Sequence, residues 1–226
     1  MTSIPKIDRL IRSKRKTIAI IIELDSSLTI RAPFRVPEKL INEYVNEKRN
    51  WIIKKQENAK ERQKHFIQMK FEAGESILFL GKLYKIEFND SIPFPLILDS
   101  KLYVLKENKN IAEKLILSWY RQKAEKIISE RVKYYSRVLN IQYKTVSITS
   151  ARKRWGSCSR TRKLNFSFRL IMTPLEVLNY VVIHELAHII EHNHSQNFWN
   201  LVKQYCPDYK THLNWLKKNN YIAFIN

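Results

Sequence analysis

Glycine is scarce in this 226-residue chain, with three in all, which leaves no glycine-rich loop to cradle a phosphate and no collagen-like repeat. Two cysteines, Cys158 and Cys206, are too few for a multi-bridge framework, so a reducing, cytoplasmic compartment is expected. The seven prolines follow no period, which argues against low-complexity architecture. The longest uninterrupted aliphatic run, Ile18 to Ile22, falls far short of the about 18–20 residues that cross a bilayer. The basic N-terminus leads into no apolar signal core, so neither a membrane span nor export is expected. Acidic residues are also few, 21 against 41 Lys and Arg, for a formal charge of +20.

What is present is ample core material: 44% hydrophobic and 12% aromatic residues, enough for one large domain or two small ones and too much for intrinsic disorder. The positive excess favours polyanionic partners such as nucleic acid (DNA or RNA), nucleotides or anionic lipid. It is spread along the whole chain, however, and solvated lysine-rich helices give the same total.

Residues 16 to 32 hold two Ile/Leu/Thr-rich runs around Asp25-Ser26-Ser27, the pattern of a hairpin with a polar turn. After Pro37, apolar residues recur at helical spacing from Leu40 to Ile52 and run into the charged stretch KKQENAKERQK, predicting one amphipathic helix with a solvated end. Alternation returns over 74–88 and 96–105, predicting short strands. Past Asn108 the period changes again, and an apolar face from Ile111 to Val132 predicts a long helix ending near Leu139. Strands are expected once more over 141–171. The chain therefore divides into a β-rich N-terminal region with one helix, 1–107, and an α+β domain, 108–226.

Four of the six histidines, His184, His188, His192 and His194, fall within YVVIHELAHIIEHNHS. Ahead of them, Thr173, Pro174 and Glu176 predict a capped helix start with Thr173 at the N-cap. At 100° per residue His184 and His188 lie about 40° apart and one turn along, with Glu185 about 60° further round. Two imidazoles at this spacing can meet one metal, and the carboxylate between them is placed for a general base. The opposite arc, Val182, Ile183, Leu186, Ile189 and Ile190, predicts a buried helix. A catalytic zinc usually takes three protein ligands. His192 would lie about 12 Å along the axis from His184, too far to share the ion. If the helix ends near His192 and Asn193 turns left-handed, His194 swings back, and Ser195 then caps the next helix. His184, His188 and His194 are therefore the expected ligands of one Zn²⁺. The first-to-last spacing equals that of the metzincin pattern, but Glu191 stands where that pattern has glycine.

RWGSCS, LNFSFRLI, YVVIHELAH, NHS, FW and CPDYK, in that order, resemble the YgjP-like metal-dependent hydrolases, strongly from Arg154 to Trp215 and weakly before. The resemblance implies a zincin-like α+β metallopeptidase domain with a site akin to the minimal SprT and WLM proteases. It matches His184, His188 and His194 to the ligands and Glu185 to the catalytic glutamate, and lays RWGSC and LNFSF along the cleft. Asp25-Ser26-Ser27 departs from the glycine common in such hairpins.

The expected chemistry is hydrolysis by a metal-activated water with Glu185 as base. Arg154, Arg169, Tyr205 and Tyr209 are candidate donors to substrate or oxyanion. An edge strand such as LNFSFRLI would hold an extended peptide by backbone hydrogen bonds. The cations Arg152, Lys153, Arg154, Arg160, Arg162 and Lys163 would instead suit phosphate oxygens if they faced the metal. Peptidase chemistry is therefore weighed against nucleotide or phosphate hydrolysis of the nucleoside triphosphate pyrophosphatase type. A third option is a basic nucleic-acid-binding module in which Cys158 closes a structural zinc site.

Overall fold

The computed structural model describes residues 5–23, 25–64 and 69–224. The chain forms two compact units, Met1–Ile67 and Gln68–Asn226.

In the first unit, β2 (Ala19–Ile22) and β3 (Leu28–Pro33) form the expected antiparallel hairpin. Asp25 Oδ1 accepts from the Ser27 amide (3.0 Å) and hydroxyl (2.6 Å), and Ser26 takes φ 66°, the left-handed conformation a glycine would have supplied. β1 (Arg9–Ser13) adds to the other side of β3 in parallel, anchored by Asp8 accepting from the Leu28 amide at 2.7 Å. The single helix expected after Pro37 is two, α1 (Glu38–Glu47) and α2 (Arg49–Lys64). Lys48 interrupts them at φ −89°, ψ 10°, which lets both Val45 and Ile52 enter a core with Leu28, Ile30, Ala32 and Ile41.

The second unit begins with a four-stranded sheet of order β4-β5-β7-β6: β4 (Ser76–Phe79), β5 (Lys82–Asn89), β6 (Leu96–Leu98) and β7 (Leu102–Leu105). The change of period at residue 108 falls inside this unit, at the passage from β7 to α3 (Ala112–Val138). The reason is a shared core: Ile77, Ile86, Leu102 and Val104 of the sheet are continuous with Ile116 and Tyr120 of α3. The long helix buries every fourth residue, Ala112, Ile116, Tyr120, Ala124, Ile128, Val132 and Ser136, a stripe that advances about 40° around the axis at each step and so follows the core as it passes from one neighbour to the next.

Three more strands follow, β8 (Thr145–Thr149), β9 (Gly156–Cys158) and β10 (Lys163–Ser167), in the order β8-β10-β9. The strand expected through LNFSFRLIM stops at Ser167, and Phe168–Met172 winds into a fully buried 3-10 turn packed against α3. This corrects a further expectation. β10 is the central strand, paired with β8 in parallel and β9 in antiparallel, so LNFSF is no edge, and the strand paired on one side only next to α4 (Leu175–Ala187) is β9. α5 (Gln196–Tyr205) and α6 (Tyr209–Lys218) complete the unit and pack on α4. Among the described residues no helix is long and apolar enough to cross a membrane.

Candidate metal centre

The helix carrying the histidines starts differently from its sequence signature. Thr173 is fully buried, and its hydroxyl donates to the Leu170 carbonyl at 2.9 Å, so it cannot cap α4. Pro174 is the N-cap residue, and its carbonyl accepts the first helical bond from the Leu178 amide at 3.0 Å. The entry is clamped by the β4–β5 turn: Leu80 and Gly81 donate their amides to the carbonyls of Ile171 (2.8 Å) and Met172 (3.2 Å). A Cβ at position 81 would lie 2.9 Å from Pro174 Cγ, and φ there is +77°, so only glycine suits this turn.

From that start α4 buries Val177, Leu178, Val181, Val182, Ile183 and Leu186, as the periodicity requires. Ile190 is exposed instead, because the helix has already ended at Ala187. His184 sits in the last turn and His188 is the C-cap, after which Glu191 closes the turn by donating its amide to Ala187 at 2.9 Å. Asn193 is not among the residues with positive φ, so the reversal expected there is spread over bends around His192 and Asn193. Ser195 does cap α5, its hydroxyl accepting from the Phe198 amide at 3.3 Å.

This path brings His184, His188 and His194 together, with one nitrogen of each within 4.8 Å of the others. The Nε2 atoms of His184 and His194 are 3.2 Å apart. His188 Nδ1 lies 3.1 Å from the Glu191 carbonyl, which can only accept, so the proton sits on Nδ1 and the lone pair on Nε2. Burial pulls His184 down to about 3, helped by the neighbouring His188 and His194, and burial likewise lowers His188. These two half-buried imidazoles are therefore neutral and nucleophilic at neutral pH, as metal ligation requires. His184 Nδ1 is buried with no partner among the described residues. Three converging histidine nitrogens, with His184 and His188 kept neutral by burial, and an orphaned ring atom fit a divalent metal, and a borderline-soft ion of the zinc type best. His192 is exposed and stands outside the cluster.

Glu185 is buried where α4 meets β9. A Cβ at position 156 would lie 2.6 Å from Glu185 Cγ and 2.7 Å from its Oε1, so the carboxyl rests on the bare backbone of Gly156. Burial pushes this carboxyl up to about 8, against the opposing charge of Arg154. Cys158, two residues along the same strand, is a free, half-buried thiol raised to about 11 by burial and the Glu185 charge, and it does not join the three histidines. The three-nitrogen set is thus not closed by a protein sulfur.

An aromatic shell surrounds the cluster. Phe198, fully buried on α5, lies 4.5–5.0 Å from all three histidine rings. Trp199 stacks on His194 at 5.5 Å, and Tyr209 stacks on Trp199 at 5.1 Å. On the other side Tyr180 meets His184 edge-on at 5.8 Å, with His212 of α6 behind it at 6.2 Å. Burial carries the Tyr180 hydroxyl up to about 12, so it stays protonated. Sequence reasoning gave none of Phe198, Trp199, Tyr180 or His212 a role in the site, and it reached Gly156 only through the RWGSC motif that the resemblance lays along the cleft. For Gly156 a signal existed: in a chain with three glycines, one inside a strand segment marks a close approach.

The candidate donors separate. Arg154 is exposed and acts electrostatically on Glu185. Arg169 is buried, donates from Nη1 to the Ser150 carbonyl at 3.1 Å and lies over the Phe168 ring at 4.3 Å, so it fastens the β8–β9 connection. Tyr209 stands one ring away from His194, while Tyr205 is half-buried against the core from the end of α5 and makes no ring contact with the histidines among the described residues. The cationic cluster is divided between the connection before β9, with Arg152, Lys153 and Arg154, and the tip of the β9–β10 hairpin, with Arg160, Arg162 and Lys163. All six are exposed.

A family model described as YgjP-like, metallopeptidase domain, matches residues 16–219. No curated protein matches the chain. Among solved structures, the metallopeptidase zymogen of Pyrococcus abyssi abylysin is similar, with 21% identity, a TM-score of 0.38, and coverage of 41% of this chain and 94% of that one.

Proposed function

The chain belongs to the YgjP-like metallopeptidase family and is a metal-dependent hydrolase, and on that premise we propose that it is a zinc peptidase holding one Zn²⁺ through His184, His188 and His194, with Glu185 as general base. The observation that carries this reading is the convergence of three histidine nitrogens within 4.8 Å, beside a buried carboxyl seated on Gly156. Bound zinc supplies Lewis acidity and activates water. The Glu185 carboxylate takes the proton of the attacking water and passes it to the leaving amine, and its raised affinity for a proton suits both transfers. His188 is held in its ligating tautomer by the Glu191 carbonyl. Arg154 is the cation best placed to act near the carboxyl. An extended peptide is best accommodated along the unpaired side of β9, which lies beside α4. The free thiols of Cys158 and Cys206 agree with a reducing cytoplasm.

Phosphate chemistry has less support, since the cationic cluster is divided and only Arg154 has an influence on Glu185. A structural-zinc module has less still, since Cys158 stays outside the ligand set and a buried glutamate has no role in a closed site. The deciding experiment offers zinc-loaded protein a panel of denatured proteins and peptides beside nucleoside triphosphates, each with wild type and Glu185→Gln. Glu185-dependent proteolysis is expected; Glu185-dependent phosphate or pyrophosphate release without any proteolysis overturns the peptidase reading.

A further inference from the structure

A cavity of about 250 Å³ opens between α5 and α6, one ring away from the histidine cluster. Trp199 and Tyr209 form an aromatic wall, and the same Trp199 ring stacks on His194. Lys203 and Lys210 flank the cavity, one from each helix. Gln196 and Asn200 complete it, locked together by a 2.8 Å bond from Gln196 Nε2 to Asn200 Oδ1. No carboxylate lines the cavity: Asp208 in the α5–α6 turn is exposed and not among its walls. Neither lysine is paired with a carboxylate among the described residues.

From this arrangement we infer that the Trp199–Tyr209 cavity is a substrate subsite for a carboxylate of the peptide, an inference that rests on the peptidase reading above. The volume is below the about 300–1,000 Å³ typical of pockets for drug-sized ligands and matches a single side chain or chain terminus. Two unpaired ammonium groups select an anion, and the aromatic wall packs the methylene groups that carry it. Trp199 is already stacked with two neighbours, so the cavity favours a compact anion over a planar base. Because the wall ring also touches a metal ligand, a substrate seated here places a nearby peptide bond at the histidine cluster. The carboxylate has two sources, an Asp or Glu side chain or the C-terminus of the peptide.

The test uses zinc-loaded, full-length protein and two sets of peptide pairs. One set has blocked ends and a Glu or Gln at successive positions; the other has neutral side chains and a free or amidated C-terminus. The expected kcat/KM favours the carboxylate in at least one set by about 2- to 5-fold at low salt, the upper part of the range for an exposed charge pair. The preference should shrink in about 0.5 M NaCl and fall to near unity in Lys203→Met/Lys210→Met. A response of the first set assigns the side chain, and one of the second the terminus. A ratio near one in wild type, or a ratio unchanged in the double variant, overturns the subsite. The same pairs are titrated calorimetrically onto zinc-loaded Glu185→Gln protein, with and without the two lysine substitutions. Lysine-dependent preference in binding, with no peptide cleaved by wild type, retains the subsite and removes the peptidase reading. Cleavage without charge preference in either assay does the reverse.

Discussion

Gly156 and Glu185 are in contact through a space that no other residue at 156 leaves open: a Cβ there would lie 2.9 Å or less from the Cγ, Cδ and Oε1 atoms of the glutamate. The backbone of an edge strand thus forms the seat of the proposed base. Strand β9 needs no glycine for its own dihedrals, since Gly156 has no positive φ, so the residue is explained by the carboxyl alone.

Gly156→Ala should therefore displace the carboxyl while leaving the histidines in place. Turnover is expected to fall about 100-fold, approaching the 10²–10⁴-fold loss typical of removing a general base outright, as in Glu185→Gln. Both variants should retain zinc. Steady-state kinetics paired with metal analysis checks this, and near-normal turnover of metal-loaded Glu185→Gln would remove Glu185 as the base.

Zinc content should be about one ion per chain, and His184→Ala, His188→Ala and His194→Ala should each lose it. His192→Ala should keep most of it, being outside the cluster. Elemental analysis of dialysed protein decides the matter: metal retained by His194→Ala but lost from His192→Ala would contradict the ligand set.

Phe198 packs on all three histidine rings from a fully buried position, so it sets their mutual orientation. Phe198→Leu keeps a large apolar side chain but frees the rings. Zinc affinity, read by competition with a chelator, should drop by about 10-fold, the lower end for residues that orient ligands. Phe198→Ala should in addition destabilise the fold by about 3–5 kcal/mol through the cavity it leaves, measured by denaturant unfolding.

The metal-free protein should have a stability maximum bounded on both sides by this site. Glu185 is raised from 4.5 to about 8, so the folded chain holds a proton that the unfolded chain has released. Its contribution is complete below pH 4.5 and is lost as pH rises through about 8. His184 is lowered from 6.5 to about 3, so the unfolded chain takes up a proton first, and stability present above pH 6.5 is lost as pH falls towards 3. Thermal unfolding across this range should show both limbs, and Glu185→Gln should flatten the alkaline limb while preserving the acid one. An alkaline limb unchanged in that variant would assign it to another group.

How much was legible differs from element to element. The α4 seam, the α3 period and the hairpin at Asp25 could be read because each depends on neighbours within a few residues. The N-cap assignment to Thr173 failed because a buried hydroxyl is claimed by the nearest carbonyl, here that of Leu170, before it can serve a helix. The left-handed turn expected at Asn193 failed because several bends together achieved what one strained residue would have done. The single helix after Pro37 became two because the core of the first unit rewarded a break at Lys48.

The sequence by itself determined the chemistry: HELAH on a helix places two imidazoles and a carboxylate on one face by the 3.6-residue period, and NHS places a third imidazole within a turn's reach. These are local relations, settled by covalent geometry and helix pitch. Only the tertiary structure decided what surrounds that chemistry. Strand order made LNFSF central and left the edge to β9, Gly156 became the seat of Glu185, and α5 and α6 brought Phe198, Trp199 and Tyr209 to the histidines. The contact of Gly156 with Glu185 joins residues 29 positions apart in the chain, and that of Tyr209 with Trp199 crosses from one helix to the next; their closeness depends on the packing of whole elements around a shared core, which no local pattern encodes.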